Sequence, residues 1–388
     1  RTPWKSSAVR RLAAAALAVA AAAVCAPAAQ AAPALERGTR QLAVTSAAVE
    51  VSAPATLGPG FSIGELIGMS STDIGRRLDA VRASGAKSIR FDVAWPTVQP
   101  TAGSARNWAP VDRVVSAANA RGLQMLPIID YTPAWARVPG CTVPACAPAD
   151  PRAFAAFAGE VVQRYAPAGI RVWEVWNEPN VGSWAPRPDP AAYARLLVAT
   201  SAEIKRRQPS ATVVTGGLAP AVTVAGGTYS PQDFLKGVYD AGARASFDGV
   251  GMHPYCFPAL PGEGQLWSGW TQMTKLREMM VARGDSAKGV WATEFGAPTT
   301  GPGKGTTAAT RVWGSGYDHV DETMQAQTVK AAAAQLPSMP WLRTLMWYSY
   351  VDLGDGSVSN VNGYGLVRRD GTAKPALAAW VNATRGIL

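Results

Sequence analysis

Two glutamates stand where a buried carboxylate is hardest to explain. Glu178 lies in the run Trp176-Asn177-Glu178-Pro179-Asn180, directly after the apolar stretch IRVWEVW (170–176). Glu294 lies in GVWATEF (289–295), again at the end of an apolar stretch. A carboxylate there is costly unless it is solvated, paired or functional. One such group could simply cap the next helix. Two in equivalent places point to shared work, and a partly buried carboxyl suits proton donation near neutral pH.

Such a pair needs elements that bring it together. Eight short apolar runs read as strands: 61–68, 87–93, 123–129, 170–176, 212–217, 247–253, 289–295 and 344–350. Most are nearly continuous in hydrophobicity, as parallel strands buried on both faces are. Amphipathic stretches fill the gaps. Ile74, Leu78 and Val81 share a helical face behind a cap at Ser71 or Thr72; Val111, Val114, Val115 and Ala118 share another. Asp150-Pro151 reads as an N-cap and first-turn proline before Phe154, Phe157, Val161 and Tyr165. Tyr193, Leu196, Leu197 and Ile204 form a fourth stripe, and shorter helices fit near 231–241, 265–283, 321–336 and from Pro375. Strands alternating with helices over about 330 residues predict an α/β fold, a (β/α)8 TIM barrel with one catalytic domain at 58–388. An open doubly wound sheet would carry a Gly-rich nucleotide loop after its first strand, and GELIGMSS is not one.

In a barrel, reactive groups gather at the carboxyl ends of strands. Eight strands about 4.8 Å apart, tilted about 36°, give a backbone diameter of roughly 15 Å. Glutamates on the fourth and seventh strands, each reaching inward about 4 Å, leave roughly 6 Å between carboxyls, the range of a pair acting on a glycosidic bond, whether retaining at about 5–5.5 Å or inverting at about 6.5–9.5 Å. His253 and Tyr255, in MHPY after the sixth strand, fall beside Glu294, and the phenol is placed to hold it ionised. Arg90, inside the apolar second strand, requires an acidic partner; Glu294 is the candidate and Asp92 the local competitor. Trp95, Trp135, Trp176, Trp184 and Trp347 lie at or near strand ends, and flat rings suit sugar faces. Trp347 and Trp184 are the favoured platforms.

Composition bounds the rest. Hydrophobic residues make up 48% and charged residues 16% of the 388, enough for a large core. The first 31 residues read as a secretory signal: Lys5, Arg10 and Arg11, then an apolar run over 12–24, then Ala29-Gln30-Ala31, with cleavage after Ala31. The 13-residue run is too short to span a bilayer, and Val24 before Cys25 disfavours a lipoprotein site. The chain opens on Arg1, so a few residues are expected to precede it. A linker follows at 32–57. Removing the signal leaves 33 basic against 27 acidic residues, with no long basic run beyond 205–207, so no nucleic-acid partner is expected. The mature protein is expected to be extracellular, monomeric and free of the membrane. Cys141 and Cys146 can close a small disulfide, and pairing of either with Cys256 fits the count equally. With two histidines in the chain, a Cys/His zinc site is poorly supported.

The motifs WNEP, HPY, TEFG and MWYSY, in this order, resemble the large clan of retaining glycoside hydrolases with two strand-end glutamates. That clan includes the cellulase-like family 5 and the β-xylosidase and α-iduronidase relatives of family 39. The resemblance covers about 58–388 and implies Glu178 as acid/base and Glu294 as nucleophile. It further implies Asn177 on the sugar 2-hydroxyl, Tyr255 and Arg90 supporting Glu294, and Trp347 under the reacting sugar. The implied partner is an oligo- or polysaccharide, with no metal or organic cofactor. Cellulase-like members carry a histidine near the end of strand three, where this chain has Asp130-Tyr131. The stretch RFDVAWPTVQPTAG resembles family 39 more closely. A non-catalytic glycan-binding barrel is the main alternative, and loss of one glutamate is its usual mark. A cell-wall scaffold protein would be expected to show repeats. The long segment 296–322 after the seventh strand is expected to shape the cleft.

Overall fold

Eight parallel strands close into a barrel, each formed by an apolar run that one face of a helix covers. The computed structural model describes residues 55–386 except 313, 315 and 355–357. The signal segment and positions 32–54 of the linker lie outside the described residues. The strands are β1 (Gly60–Ser62), β2 (Ser88–Ala94), β3 (Gln124–Asp130), β4 (Val172–Asn177), β5 (Thr212–Gly217), β6 (Gly249–Met252), β7 (Gly289–Phe295), β8 (Lys304–Thr306), β9 (Tyr317–Val320) and β10 (Leu342–Tyr348). The barrel runs in the cyclic order β1-β10-β7-β6-β5-β4-β3-β2, and β8 and β9 pair separately within the long segment after β7. The helices are α1 (Ser71–Ala83), α2 (Trp95–Val98), α3 (Ala109–Asn119), α4 (Pro151–Tyr165), α5 (Pro190–Arg207), α6 (Pro231–Asp240), α7 (Gly269–Ala282), α8 (Glu322–Gln335) and α9 (Pro375–Thr384).

Local chemistry accounts for most element ends. Asp150 caps α4 by accepting from Arg152 N at 2.9 Å, with Pro151 in the first turn. The cap of α1 is Ser70 rather than Ser71 or Thr72: its hydroxyl accepts from Asp73 N. The first strand is shorter than its apolar run suggests. It stops at Ser62, and 64–68 winds into a 3-10 turn. There Gly64 crosses over Asp92 so closely that a Cβ would lie 2.6 Å from Oδ2.

Two apolar layers result. Alternate residues of the strands face outward onto the helices, where Ile74, Leu78, Phe154, Phe157 and Leu196 meet them. Inside the barrel, Leu57, Leu126, Val172, Val214, Trp291 and Met346 form a separate plug. Polar side chains of the interior therefore collect above that plug, toward the carboxyl ends of the strands.

The connecting segments add covalent and ionic ties. Cys141 and Cys146 are disulfide-bonded in the loop between β3 and α4, and Cys256 is a buried free thiol. Beyond β10, the buried Lys374 ammonium donates to Asp352 at 2.7 Å and to Thr299 at 2.8 Å, joining the segments after β7 and β10. No described helix is long and apolar enough to cross a membrane.

Candidate active site

Arg90 is the centre of the polar cluster. It projects from β2 into the barrel, is 3% exposed, and uses its whole fork. Nε donates to Glu174 Oε2 at 2.6 Å and Nη2 to Glu174 Oε1 at 3.2 Å. Nη1 donates to Glu294 Oε1 at 2.6 Å, and Nη2 also donates to Asn177 Oδ1 at 2.9 Å. Burial opposes the charge of this guanidinium, but the carboxylates of Glu174 and Glu294 outweigh it and hold the group protonated. Asp92 makes no ion pair with it. Burial pushes the Asp92 carboxyl up to about 6, against the pull of Arg90.

Glu294 reaches Arg90 because β7 is irregular. Between Leu345↔Ala292 and Trp347↔Phe295, β7 advances three residues while β10 advances two. The extra residue lets Thr293 and Glu294 both turn inward: Thr293 Oγ1 meets Glu174 at 3.0 Å and Glu294 meets Arg90. The Tyr255 hydroxyl donates to Glu294 Oε2 at 2.8 Å. Burial raises the titration of Glu294, but His253, Arg90 and the Tyr255 hydrogen bond outweigh it and hold this carboxyl below the usual carboxylate range. Burial and the Glu294 charge push the Tyr255 phenol well up, so it remains a donor.

Glu178 is carried by a twisted end of β4. Trp176 (φ 75°) and Glu178 (φ 43°) both occupy the left-handed region, unusual for such side chains. The twist turns the Trp176 indole outward, where Nε1 donates to Ser183 O, and leaves Asn177 facing Arg90. Asn180 clamps the loop beyond, bonding Ala219 O, Tyr229 O and Ala219 N. Glu178 Oε1 then meets His253 Nδ1 at 2.8 Å, and the same nitrogen lies 3.6 Å from Glu294 Oε2. One oxygen of each glutamate and a ring nitrogen of His253 all lie within 4.8 Å of one another. Burial disfavours a charged imidazole, yet Glu294 and Glu178 prevail and raise His253 above an ordinary histidine.

The expected residues divide cleanly. Glu178, Glu294, Arg90, Asn177, His253 and Tyr255 come together. Trp347 and Trp184 do not join them. Met346 belongs to the interior plug, so alternation turns Trp347 outward, 1% exposed, edge-on to Phe295 at 5.5 Å. The next residue, Tyr348, is the half-buried ring facing the site, and the charges of Glu294, Asp92 and Glu178 act on its phenol. Trp184 follows the outward turn of Trp176 and packs between it and Tyr193, at 4.9 and 5.7 Å. Trp95 is stacked on Phe157 in the core, whereas Trp135 stays 40% exposed at the rim.

Besides Thr293 and Tyr348, two residues were not anticipated. Glu174, on β4, is fully buried and also accepts from Gly217 N at 2.9 Å. Its signal was a glutamate inside an apolar strand, the same oddity that singled out Arg90. Gly217 is the other: a Cβ there would lie 2.2 Å from His253 Nε2 and 2.7 Å from Thr293 Oγ1. Asp130 is also buried, with neither carboxylate oxygen partnered among the described residues. Burial and then the Asp92 charge push it well above the carboxylate range, toward the neutral acid.

No family model and no curated protein sequence matches the chain. Its structure is similar to solved (β/α)8 barrels. A family 39 glycoside hydrolase from Bacteroides cellulosilyticus superposes with a TM-score of 0.62 at 24% identity over 87% of this chain, which spans 64% of that protein's length. A monomeric β-xylosidase from Caulobacter crescentus gives 0.61 at 20% identity, covering 85% of this chain and 68% of that one. A GH5_18 protein from Streptomyces cattleya in complex with GlcNAc gives 0.59 at 19%, covering 86% and 80%. At these identities the likeness establishes the fold.

The close approach at Gly217 has a measurable consequence. Gly217→Ala should displace His253 and cost about 2 kcal/mol in denaturant unfolding. A variant with wild-type stability and an undisturbed His253 would contradict the packing described.

Proposed function

We propose that the chain is a secreted retaining glycoside hydrolase that cleaves O-glycosidic bonds of a β-linked glycan by double displacement. The observation that carries this reading is the approach of Glu178 and Glu294 to within 4.8 Å around His253. This approach of the nearer oxygens agrees better with the roughly 5–5.5 Å between carboxyls of a nucleophile facing an acid/base than with the ~6.5–9.5 Å that accommodates a water in single displacement. The different surroundings of the two carboxyls support different roles. Two hydrogen bonds, one from Arg90 and one from Tyr255, and the nearby His253 keep Glu294 ionised for attack. Glu178 has no guanidinium partner among the described residues.

In the first step Glu294 forms a bond to the anomeric carbon while the glycosidic bond breaks. Glu178 gives its proton to the departing oxygen. In the second, Glu178 takes a proton from water, the water oxygen bonds the anomeric carbon, and Glu294 is released. Asn177 has its Oδ1 committed to Arg90, which leaves its amide to donate to the sugar 2-hydroxyl. Tyr348 replaces Trp347 as the ring beneath the reacting sugar. Similarity to a β-xylosidase supports a β-linked substrate, an oligo- or polysaccharide, taken by a monomer.

A panel of aryl glycosides and polysaccharides identifies the sugar. Glu178→Gln and Glu294→Gln should each lower turnover by several orders of magnitude with the fold intact, and azide should rescue Glu294→Ala as an inverted glycosyl azide. Wild-type-like turnover in either glutamine variant removes the assignment.

Tyr255→Phe deletes a bond made to the ionised form of Glu294, so the titration of that carboxyl must rise. The acid limb of the kcat/KM profile should therefore move to higher pH; a limb that stays put or moves down contradicts the role given to Tyr255.

Export rests on the segment 1–31. Intact mass of the exported protein should begin at Ala32, and retention of the full chain inside the cell would refute secretion.

A further inference from the structure

Glu174 has no place in the two steps above, yet it holds more of Arg90 than Glu294 does. It receives two bonds from that guanidinium, one from Thr293 Oγ1 and one from Gly217 N. It is 0% exposed, so neither substrate nor water from the cleft reaches it. One cation is thus shared by two carboxylates, and only one of them takes part in chemistry.

The sharing matters because Glu294 changes charge during the reaction. When its oxygen bonds the anomeric carbon it becomes a neutral ester, and Arg90 loses the negative partner at Nη1. A buried guanidinium left alone is strongly disfavoured. With Arg90 paired to Glu294 only, ester formation would strand that cation, and the enzyme would oppose its own first step. A fixed second carboxylate removes this opposition.

Building on the double-displacement reading, we propose that Glu174 is a positioning residue that keeps Arg90 neutralised throughout the cycle, so that Glu294 can lose its charge on forming the glycosyl-enzyme. Glu174 also sets how strongly Arg90 pulls on Glu294 in the free protein. Removing its charge deletes a repulsion and gives Glu294 the undivided attraction of Arg90. Both effects favour the ionised form of Glu294. A purely structural role has the opposite consequence: an untethered Arg90 would drift from Glu294, which would then titrate higher.

The sign of that change is the test, and it requires no substrate. Carboxyl-¹³C NMR titration of the free protein, with Glu294 assigned by Glu294→Gln, follows wild type and Glu174→Gln. The expected result is a fall in the Glu294 midpoint by on the order of one pH unit. An unchanged or raised midpoint overturns the proposal. Kinetics add a second arm, using the dinitrophenyl glycoside that wild type cleaves fastest. Glu174→Gln should slow formation of the glycosyl-enzyme about 100-fold, with its hydrolysis slowed far less. Equal slowing of both steps counts against the proposal.

Should Glu174→Gln not fold, Glu174→Asp carries the test. It keeps the charge, so the Glu294 midpoint should stay within a few tenths of wild type, and a downward move would refute the role of charge. The two readings fail separately. Trapping with 2-deoxy-2-fluoro glycosides that labels another residue than Glu294 defeats the double-displacement assignment. Normal labelling of Glu294 with an unshifted midpoint in Glu174→Gln defeats only the role of Glu174.

Discussion

A single guanidinium inside the barrel organises the whole upper layer of this protein. Arg90 reaches Glu174 and Asn177 on β4 and Glu294 on β7, three side chains from opposite sides of the closed sheet. Such a charge is tolerable only if its partners are fixed. The barrel supplies that fixity: backbone pairing sets the strands, and the apolar plug below fills the space into which Arg90 would otherwise relax. The geometry of the site and the satisfaction of its charges are here the same requirement.

Much of this was legible in the residues alone, for physical reasons. Parallel strands buried on both faces leave long apolar runs, and charged residues inside such runs stand out. That logic located Arg90, Glu178 and Glu294, and the strand bounds 212–217 and 289–295 agree with the structure. Asp150-Pro151 located a helix start because capping is local chemistry. The same logic applied to Glu174 would have paired it with Arg90, but a glutamate three residues before an Asn-Glu-Pro motif is overshadowed by the motif.

What stayed hidden depends on backbone irregularity. Period-two alternation assigns a face to each strand residue, and it fails where φ turns positive at Trp176 or where β7 gains a residue. Trp184 was misplaced for the first reason, since its packing follows the outward turn of Trp176. Trp347 was misplaced by one position, because alternation on β10 can be phased only once Met346 is known to face inward. Gly217 was invisible because its importance lies in an atom it lacks.

The extra residue in β7 makes the position of Glu294 a matter of counting. On a regular strand, neighbours face opposite ways, so Thr293 and Glu294 could not both serve the barrel interior. Shortening β7 by one residue between Ala292 and Phe295 would leave a single inward position there, so the contacts of Thr293 to Glu174 and of Glu294 to Arg90 could not both be kept. Evolutionary drift at this site is therefore constrained in length as well as in chemistry: substitutions around Glu294 can be absorbed singly, whereas a one-codon deletion cannot.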